Sequence, residues 1–156
     1  MKKTEIRKTL NCYLDACCLN RPFDDQTQDR IRIEAESVII LLKYSASGLI
    51  RLVGSDVLKL EISKTPDLVR KSQLLSLLTY ISKNYSMNDE IIELAHKLQI
   101  TGFSTFDSLH IAIAEKSKAD IFVTTDDKIY KLFRKKPDLL KIRIENPVDI
   151  VRELLL

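Results

Sequence analysis

"STFDSLHIAIAEKSKADIFVTTD", positions 104 to 126, joins a helix to a strand and decides the fold. From Leu109 to Ala114 it is apolar nearly all round, the pattern of a helix covered on several sides. Ser104 and Asp107 form a capping box that starts this helix. After a charged turn, "DIFVTTD" reads as an apolar strand ending in an acid, Asp126.

The same ending occurs earlier. In "CYLDACCLNRPFDD", positions 12 to 25, an apolar strand runs into Asp15 before two cysteines and a loop containing Pro22. Apolar runs flanked by turn residues predict strands near 11–16, 49–53, 121–124 and 142–144. Helical periodicity fills most of the rest. "DRIRIEAESVIILLKYSASG" predicts a long helix with Gly48 as its stop. "TPDLVRKSQLLSLLTYISK" predicts one capped by Thr65 with Pro66 at its first position. "SMNDEIIELAHKLQ" carries a capping box from Ser86 to Asp89. Short strands between long helices indicate an α/β domain with a central, mainly parallel sheet. In such sheets ligands collect at the carboxyl ends of the strands, and Asp15 lies at one of these ends.

The 156 residues suit one domain, spanning 1–156, with a real core. Hydrophobic residues at 45% and charged residues at 30% are ordinary globular composition. Lys and Arg number 25 against 22 acids, so a net charge of +3 does not announce a nucleic-acid binder. No apolar stretch spans a bilayer, and "MKKTEIRKTL" lacks a following apolar region, so no signal peptide is expected. Cys12, Cys17 and Cys18 are odd in number and lack CxxC spacing. They fit structural roles in a reducing cytosol.

Two further acids share the oddity of Asp15 and Asp126. Glu61 in "SDVLKLEISK" falls on the helical face of Val57 and Leu58. Asp107 opens the buried helix. Each has a local explanation: a capping-box acid at Asp107, an N-cap at Asp126, a half-exposed helix acid at Glu61, a turn starter at Asp15. As a set they point elsewhere, because strand ends and helix N-termini meet at one rim of such a sheet. Four converging carboxylates repel one another and raise their pKa values. A divalent cation resolves the conflict, and oxygen ligands select Mg²⁺ or Mn²⁺.

Other chemistries lack their residues. The chain has three glycines, Gly48, Gly54 and Gly102, and neither a phosphate loop nor a dinucleotide fingerprint. No GxSxG elbow and no DxD strand end occur, which counts against a phosphatase acting on a small substrate. With two histidines a His-based zinc site is not expected. His96 is placed on the surface. His110 follows Asp107 on the same face, so it serves helix packing or supports a metal ligand. Asp24 and Asp25 are read as solvated.

The order of Asp15 at a strand end, Glu61 on a later helix, "FDSLHIAIA" and "ADIFVTTD" resembles the PIN domain family of metal-dependent nucleases. The resemblance covers positions 12 to about 130. It implies a Rossmann-like sheet with helices on both faces and an acidic pocket at the strand ends. Asp15, Glu61, Asp107 and Asp126 match the family acids that act as catalytic and metal-binding residues. Thr124 matches the hydroxyl residue supporting the fourth. Many members are VapC-like toxins of toxin–antitoxin pairs that cut RNA. The resemblance thus implies an endoribonuclease using Mg²⁺ or Mn²⁺, with RNA and an antitoxin protein as partners, a homodimer as a candidate assembly and a cytoplasmic location. A PIN-like module that binds RNA or protein without cutting is the rival. Ala16 departs from the pattern, since Thr or Ser often follows the first acid. Asn20 and Arg21 are candidates to reach the substrate phosphate, and pairing of Arg21 with Asp24 or Asp25 is equally open.

From Lys128 to Arg143 the chain holds seven Lys or Arg and one acid, Asp138. This is either a surface that guides a polyanion to the pocket or a solvated helix face.

Overall fold

The computed structural model describes residues 8–156. The expectation of no signal peptide falls largely on residues 1–7, outside the described residues. Five strands, β1 (Leu10–Leu14), β2 (Ile50–Ser55), β3 (Lys83–Tyr85), β4 (Ile121–Val123) and β5 (Arg143–Glu145), form one sheet in the order β3-β2-β1-β4-β5. Every pairing is parallel. Eight α-helices accompany them: α1 (Ala16–Asn20), α2 (Asp29–Ala46), α3 (Asp56–Ser63), α4 (Leu68–Leu77), α5 (Asp89–Thr101), α6 (Thr105–Lys116), α7 (Asp127–Lys135) and α8 (Pro147–Leu155).

The inner strands β1, β2 and β4 are largely buried on both faces, so they read as nearly continuous apolar runs. Cys12, Leu14, Leu52, Ile121 and Val123 pack on one side against Val38 and Leu41 of α2 and Ile150 of α8. Tyr13, Val53 and Phe122 pack on the other against Leu98 of α5 and Ile111 of α6. The helix expected to be covered all round is so, with Ile111, Ala112, Ile113 and Ala114 all at 0% exposure.

The chain leaves β1 for β2 on one side and returns to place β4 on the other. The crevice at the carboxyl ends of β1 and β4 is therefore the topological switch point, where ligands bind in open parallel sheets. Asp15 follows β1 there, and its amide donates to Val123 O at 3.0 Å.

Several local expectations need correction. Asp15 starts no open loop. It caps the short helix α1, and Arg21–Phe23 continues as a 3₁₀ turn. Thr65 caps nothing, because its amide closes α3 by donating to Ile62 O at 3.0 Å. Asp67, after Pro66, caps α4 instead and accepts from the Arg70 amide at 2.8 Å. Asn88, with an extended backbone, replaces Ser86 as the cap of α5 and accepts from the Ile91 amide. The helix predicted from "TPDLVRKSQLLSLLTYISK" stops early: Leu78–Tyr80 is a 3₁₀ turn, Ile81 turns extended, and the Ser82 amide pairs with Leu52 O, leading into β3 at Lys83. Gly54 permits this packing, since a Cβ there would lie 2.9 Å from Ile81 Cδ1. Gly48 does end α2: it has φ +81°, and Leu49 N donates to Tyr44 O at 2.9 Å, closing a Schellman turn.

Candidate metal centre

Asp15 is 5% exposed, and its carboxylate is bonded on both oxygens. Oδ1 accepts from the Ala16 amide at 2.8 Å. Oδ2 accepts from Thr124 Oγ1 at 2.9 Å and from Cys17 Sγ at 3.3 Å. The missing hydroxyl at Ala16 is thus offset by donors two residues on and across the sheet. Thr124 also accepts from the Asp126 amide at 3.1 Å, so one hydroxyl ties the first acid to the backbone of the fourth.

Burial raises the pKa of Asp15 well above the ordinary carboxylate value, and the neighbouring Cys17 and Asp107 push it further. The hydrogen bond with Cys18, and those with Thr124 and Thr125, draw the Cys17 thiol down to about 6 against its burial. Cys17 is therefore part of the rim, whereas Cys12 and Cys18 are buried and structural as expected.

Glu61 reaches the rim from α3. Its side chain is 32% exposed, and Oε2 lies 2.8 Å from His110 Nε2. His110 is 0% exposed, and its Nδ1 lies 2.6 Å from Tyr13 OH. It neither simply packs nor stands apart from the acids. Ligand atoms of Asp15, Glu61 and His110 all lie within 4.8 Å of one another.

Asp107 and Asp126 fall outside that group of three. Asp107 is half-buried on the first turn of α6, where its amide donates to Ser104 Oγ at 3.2 Å. Burial raises its pKa, the bond with Ser104 opposes this, and the charges of Asp126 and Glu61 add to the rise. Asp126 caps α7 and accepts from the Lys128 amide at 2.9 Å. The local explanations for these two acids are real, and both still lie close enough to couple electrostatically.

Clefts flank the acids. One of about 370 Å³ is lined by Cys17, Asn20, Asp24, Glu61 and Arg70. Another of about 540 Å³ is lined by Cys17, Arg21, Arg30 and Asp126. A recess of about 530 Å³ at the other end of β1 and β2 contains Arg51 and no acid. Asn20 donates to Ala16 O at 3.0 Å and receives Arg70 at 3.4 Å. Arg21 pairs with Asp24 at 3.2 Å and with the 2% exposed Glu34 at 3.1 Å, but not with Asp25. Asp24, expected to be solvated, is held by Arg21 and by Arg70 at 2.8 Å.

Sequence reading missed Arg70, Glu34 and the role of Cys17. The signal for Glu34 was available: it stands one helical turn after Arg30 and one turn before Val38, facing the core. His96 is exposed as expected. In the basic stretch, Lys128, Lys131, Lys135 and Lys136 are exposed and form no ion pair among the described residues.

Most of the chain matches a known family. The PIN domain family matches residues 12–135, and the chain belongs to it. Members are generally nucleases that use divalent metals. Three solved structures show the same fold at low identity. A VapBC2 structure from Rickettsia felis, bound to a DNA fragment from its promoter, is 18% identical, with a TM-score of 0.56 over 88% of this chain and 98% of that one. VapBC-1 from nontypeable Haemophilus influenzae is 17% identical, with a TM-score of 0.57 over the same shares, 88% and 98%. FitAcB from Neisseria gonorrhoeae is 14% identical, with a TM-score of 0.56 over 87% of this chain and 97% of that one. A search of curated protein sequences found no match. Among the described residues, no helix is long and apolar enough to cross a membrane.

Proposed function

We propose that the chain, as a single domain over 1–156, is a divalent-metal-dependent endoribonuclease and the toxin of a cytoplasmic toxin–antitoxin pair. The observation that carries this reading is the meeting of Asp15 and Glu61 at the β1/β4 switch point, coupled in charge to Asp107 and Asp126. The donor set fits a hard cation, because buried and mutually repelling carboxylates are stabilised by one. Asp15, Glu61, Asp107 and Asp126 would hold Mg²⁺ or Mn²⁺. When bound, such an ion neutralises phosphate charge and supplies a water nucleophile at neutral pH.

The chain's own residues then divide the work. The Ala16 amide and Thr124 fix the plane of the Asp15 carboxylate. Asp107 and Asp126, both less buried than Asp15, would meet the phosphodiester and its attacking water. The exposed lysines of α7 attract the polyanion, and Arg21 lines the adjoining cleft. The VapBC and FitAcB folds support a search for an antitoxin partner, and a homodimer is part of the same proposal.

One observation favours a PIN-like module that binds RNA or protein without cutting: both oxygens of Asp15 are already bonded within the protein. Cleavage of single-stranded RNA with Mn²⁺ and with EDTA separates the two. The nuclease reading expects Mn²⁺-dependent products from wild type and none from Asp107→Asn. RNA binding without products, in a folded protein at saturating Mn²⁺, would establish the module.

A further inference from the structure

A buried chain of hydrogen bonds ends on Glu61. The Leu58 amide donates to Ser55 Oγ at 3.0 Å, capping the helix that carries Glu61. Ser55 Oγ lies 2.6 Å from Tyr13 OH, Tyr13 OH lies 2.6 Å from His110 Nδ1, and His110 Nε2 lies 2.8 Å from Glu61 Oε2. Ser55, Tyr13 and His110 are all at 0% exposure. They come from β2, β1 and α6.

The proton directions follow from what each group can give. The Leu58 amide can only donate, so Ser55 accepts there and its own hydrogen is free to go to Tyr13. Tyr13 then donates to Nδ1. A carboxylate only accepts, so Nε2 must carry the ring hydrogen toward Glu61. Reversing the chain would put a bare ring nitrogen against the carboxylate. The Tyr13 hydroxyl is a phenol and so has a hydrogen to donate at neutral pH. The imidazole is also clamped sterically, with Phe106 stacked at 6.3 Å and the Tyr13 ring at 5.7 Å.

We propose that His110 is a positioning residue, which turns the Glu61 carboxylate toward Asp15 by donating from Nε2, with Tyr13 and Ser55 fixing the tautomer. Glu61 Oε1 accepts no hydrogen bond among the described residues and is left to face a cation. Both ring nitrogens are engaged, so His110 acts through Glu61 rather than as a ligand. This inference rests on the metal-site reading above.

The test measures Mn²⁺ binding to the full chain by electron paramagnetic resonance, alongside circular dichroism for folding. Outer partners of metal ligands typically contribute about 10–100-fold in affinity. His110→Leu, which removes the donor, should weaken Mn²⁺ binding by about tenfold or more. His110→Gln, whose amide can donate from nearly the same place, should recover most of that loss. Tyr13→Phe keeps the ring but frees the tautomer, and should weaken binding by a smaller factor. In a Glu61→Gln background, His110→Leu should add almost nothing.

Should His110→Leu not fold, the Gln variant and Tyr13→Phe decide between the outcomes. Wild-type affinity in Tyr13→Phe, or a loss in His110→Gln as large as that of Glu61→Gln, overturns the proposal. So does an unchanged penalty of His110→Leu in the Glu61→Gln background. If Glu61→Gln itself binds Mn²⁺ as wild type does, the metal-site reading fails first and takes this inference with it.

Discussion

Two of the four acids at the rim, Asp15 and Glu61, are held very differently from the other two. Asp15 and Glu61 are bonded across the fold, to Thr124 on the far strand end and to His110 on α6. Asp107 donates its amide to Ser104 Oγ and Asp126 accepts from the Lys128 amide, both within their own helix ends. The first pair cannot be placed until β1, β4, α3 and α6 are assembled. The second pair makes its hydrogen bonds with near neighbours in sequence and needs no partner brought from across the fold. Stability and site geometry are therefore coupled at Asp15 and Glu61, and separable at Asp107 and Asp126.

The largest effect expected is on cleavage. Asp15→Asn and Asp107→Asn should each lower the Mn²⁺-dependent rate by several orders of magnitude, with both proteins folded. The comparison sharpens in their stabilities. Asp107→Asn should leave the melting temperature unchanged or raised in EDTA, because it removes one charge from a repelling group. Cleavage by Asp107→Asn at the wild-type rate would remove that residue from the site.

Next in size is the response to metal. The folded-state pKa of Asp15 is raised above its ordinary value of 3.8, so the folded protein binds that proton more readily than the unfolded chain. Its contribution favours folding fully below the unfolded pKa. It is lost as pH rises through the raised folded pKa. Mn²⁺ should reverse the loss near neutral pH, adding about 2.7 kcal/mol at a hundredfold excess over Kd. Melting curves at pH 7.5 should thus separate with Mn²⁺ and EDTA, converge toward pH 5, and coincide in Asp15→Asn. An equal Mn²⁺ shift in Asp15→Asn would show that this carboxylate is no ligand.

A smaller effect tests the long-range link itself. Thr124→Val removes the hydroxyl between Asp15 Oδ2 and the Asp126 amide. Leaving a buried acceptor short of a donor costs about 1–3 kcal/mol. Denaturant titration should show this loss in wild type and a smaller one in an Asp15→Asn background, where a neutral amide replaces the charge. Equal losses in both backgrounds would mean that Thr124 stabilises by packing alone.

What the sequence disclosed follows the same division. Asp107 and Asp126 were legible because capping and strand endings are local patterns, and so were Gly48 as a stop and the buried helix α6. The parallel sheet followed from strand and helix alternation. Strand β3 was not legible: its three residues are exposed or half-buried, so no apolar pattern marks them, and only pairing with β2 makes them a strand. Thr65 and Ser86 were good caps that lost to Asp67 and Asn88, since backbone closure of a neighbouring element decides between adjacent candidates. The partners of Asp15 and Glu61 lay further out of reach. A histidine on an apolar helix says nothing about a carboxylate 49 positions away until the sheet brings them together. Arg21 was open between phosphate and acid because its main partner, Glu34, sits on another element.

The smallest effect belongs to the locally held pair. Ser104 Oγ accepts the Asp107 amide at 3.2 Å, and Ser104 is exposed. Ser104→Ala removes an N-cap, which costs about 0.5–2 kcal/mol. The rest of α6 is anchored independently, by Ile111 to Ala114 at 0% exposure, so the helix should fray at its first turn without shifting. Asp107 would then keep its place on the helix while losing a bond that opposes its raised pKa. The expected outcome is a melting temperature lowered by a few degrees, with the Mn²⁺ concentration for half-maximal cleavage changed by less than about threefold, equivalent to roughly 0.7 kcal/mol. A tenfold change at the same small stability cost would show that the cap sets the position of Asp107. Stability and site geometry would then be coupled at Asp107 as well, and the contrast with Asp15 and Glu61 would fail at the residue where it is easiest to test.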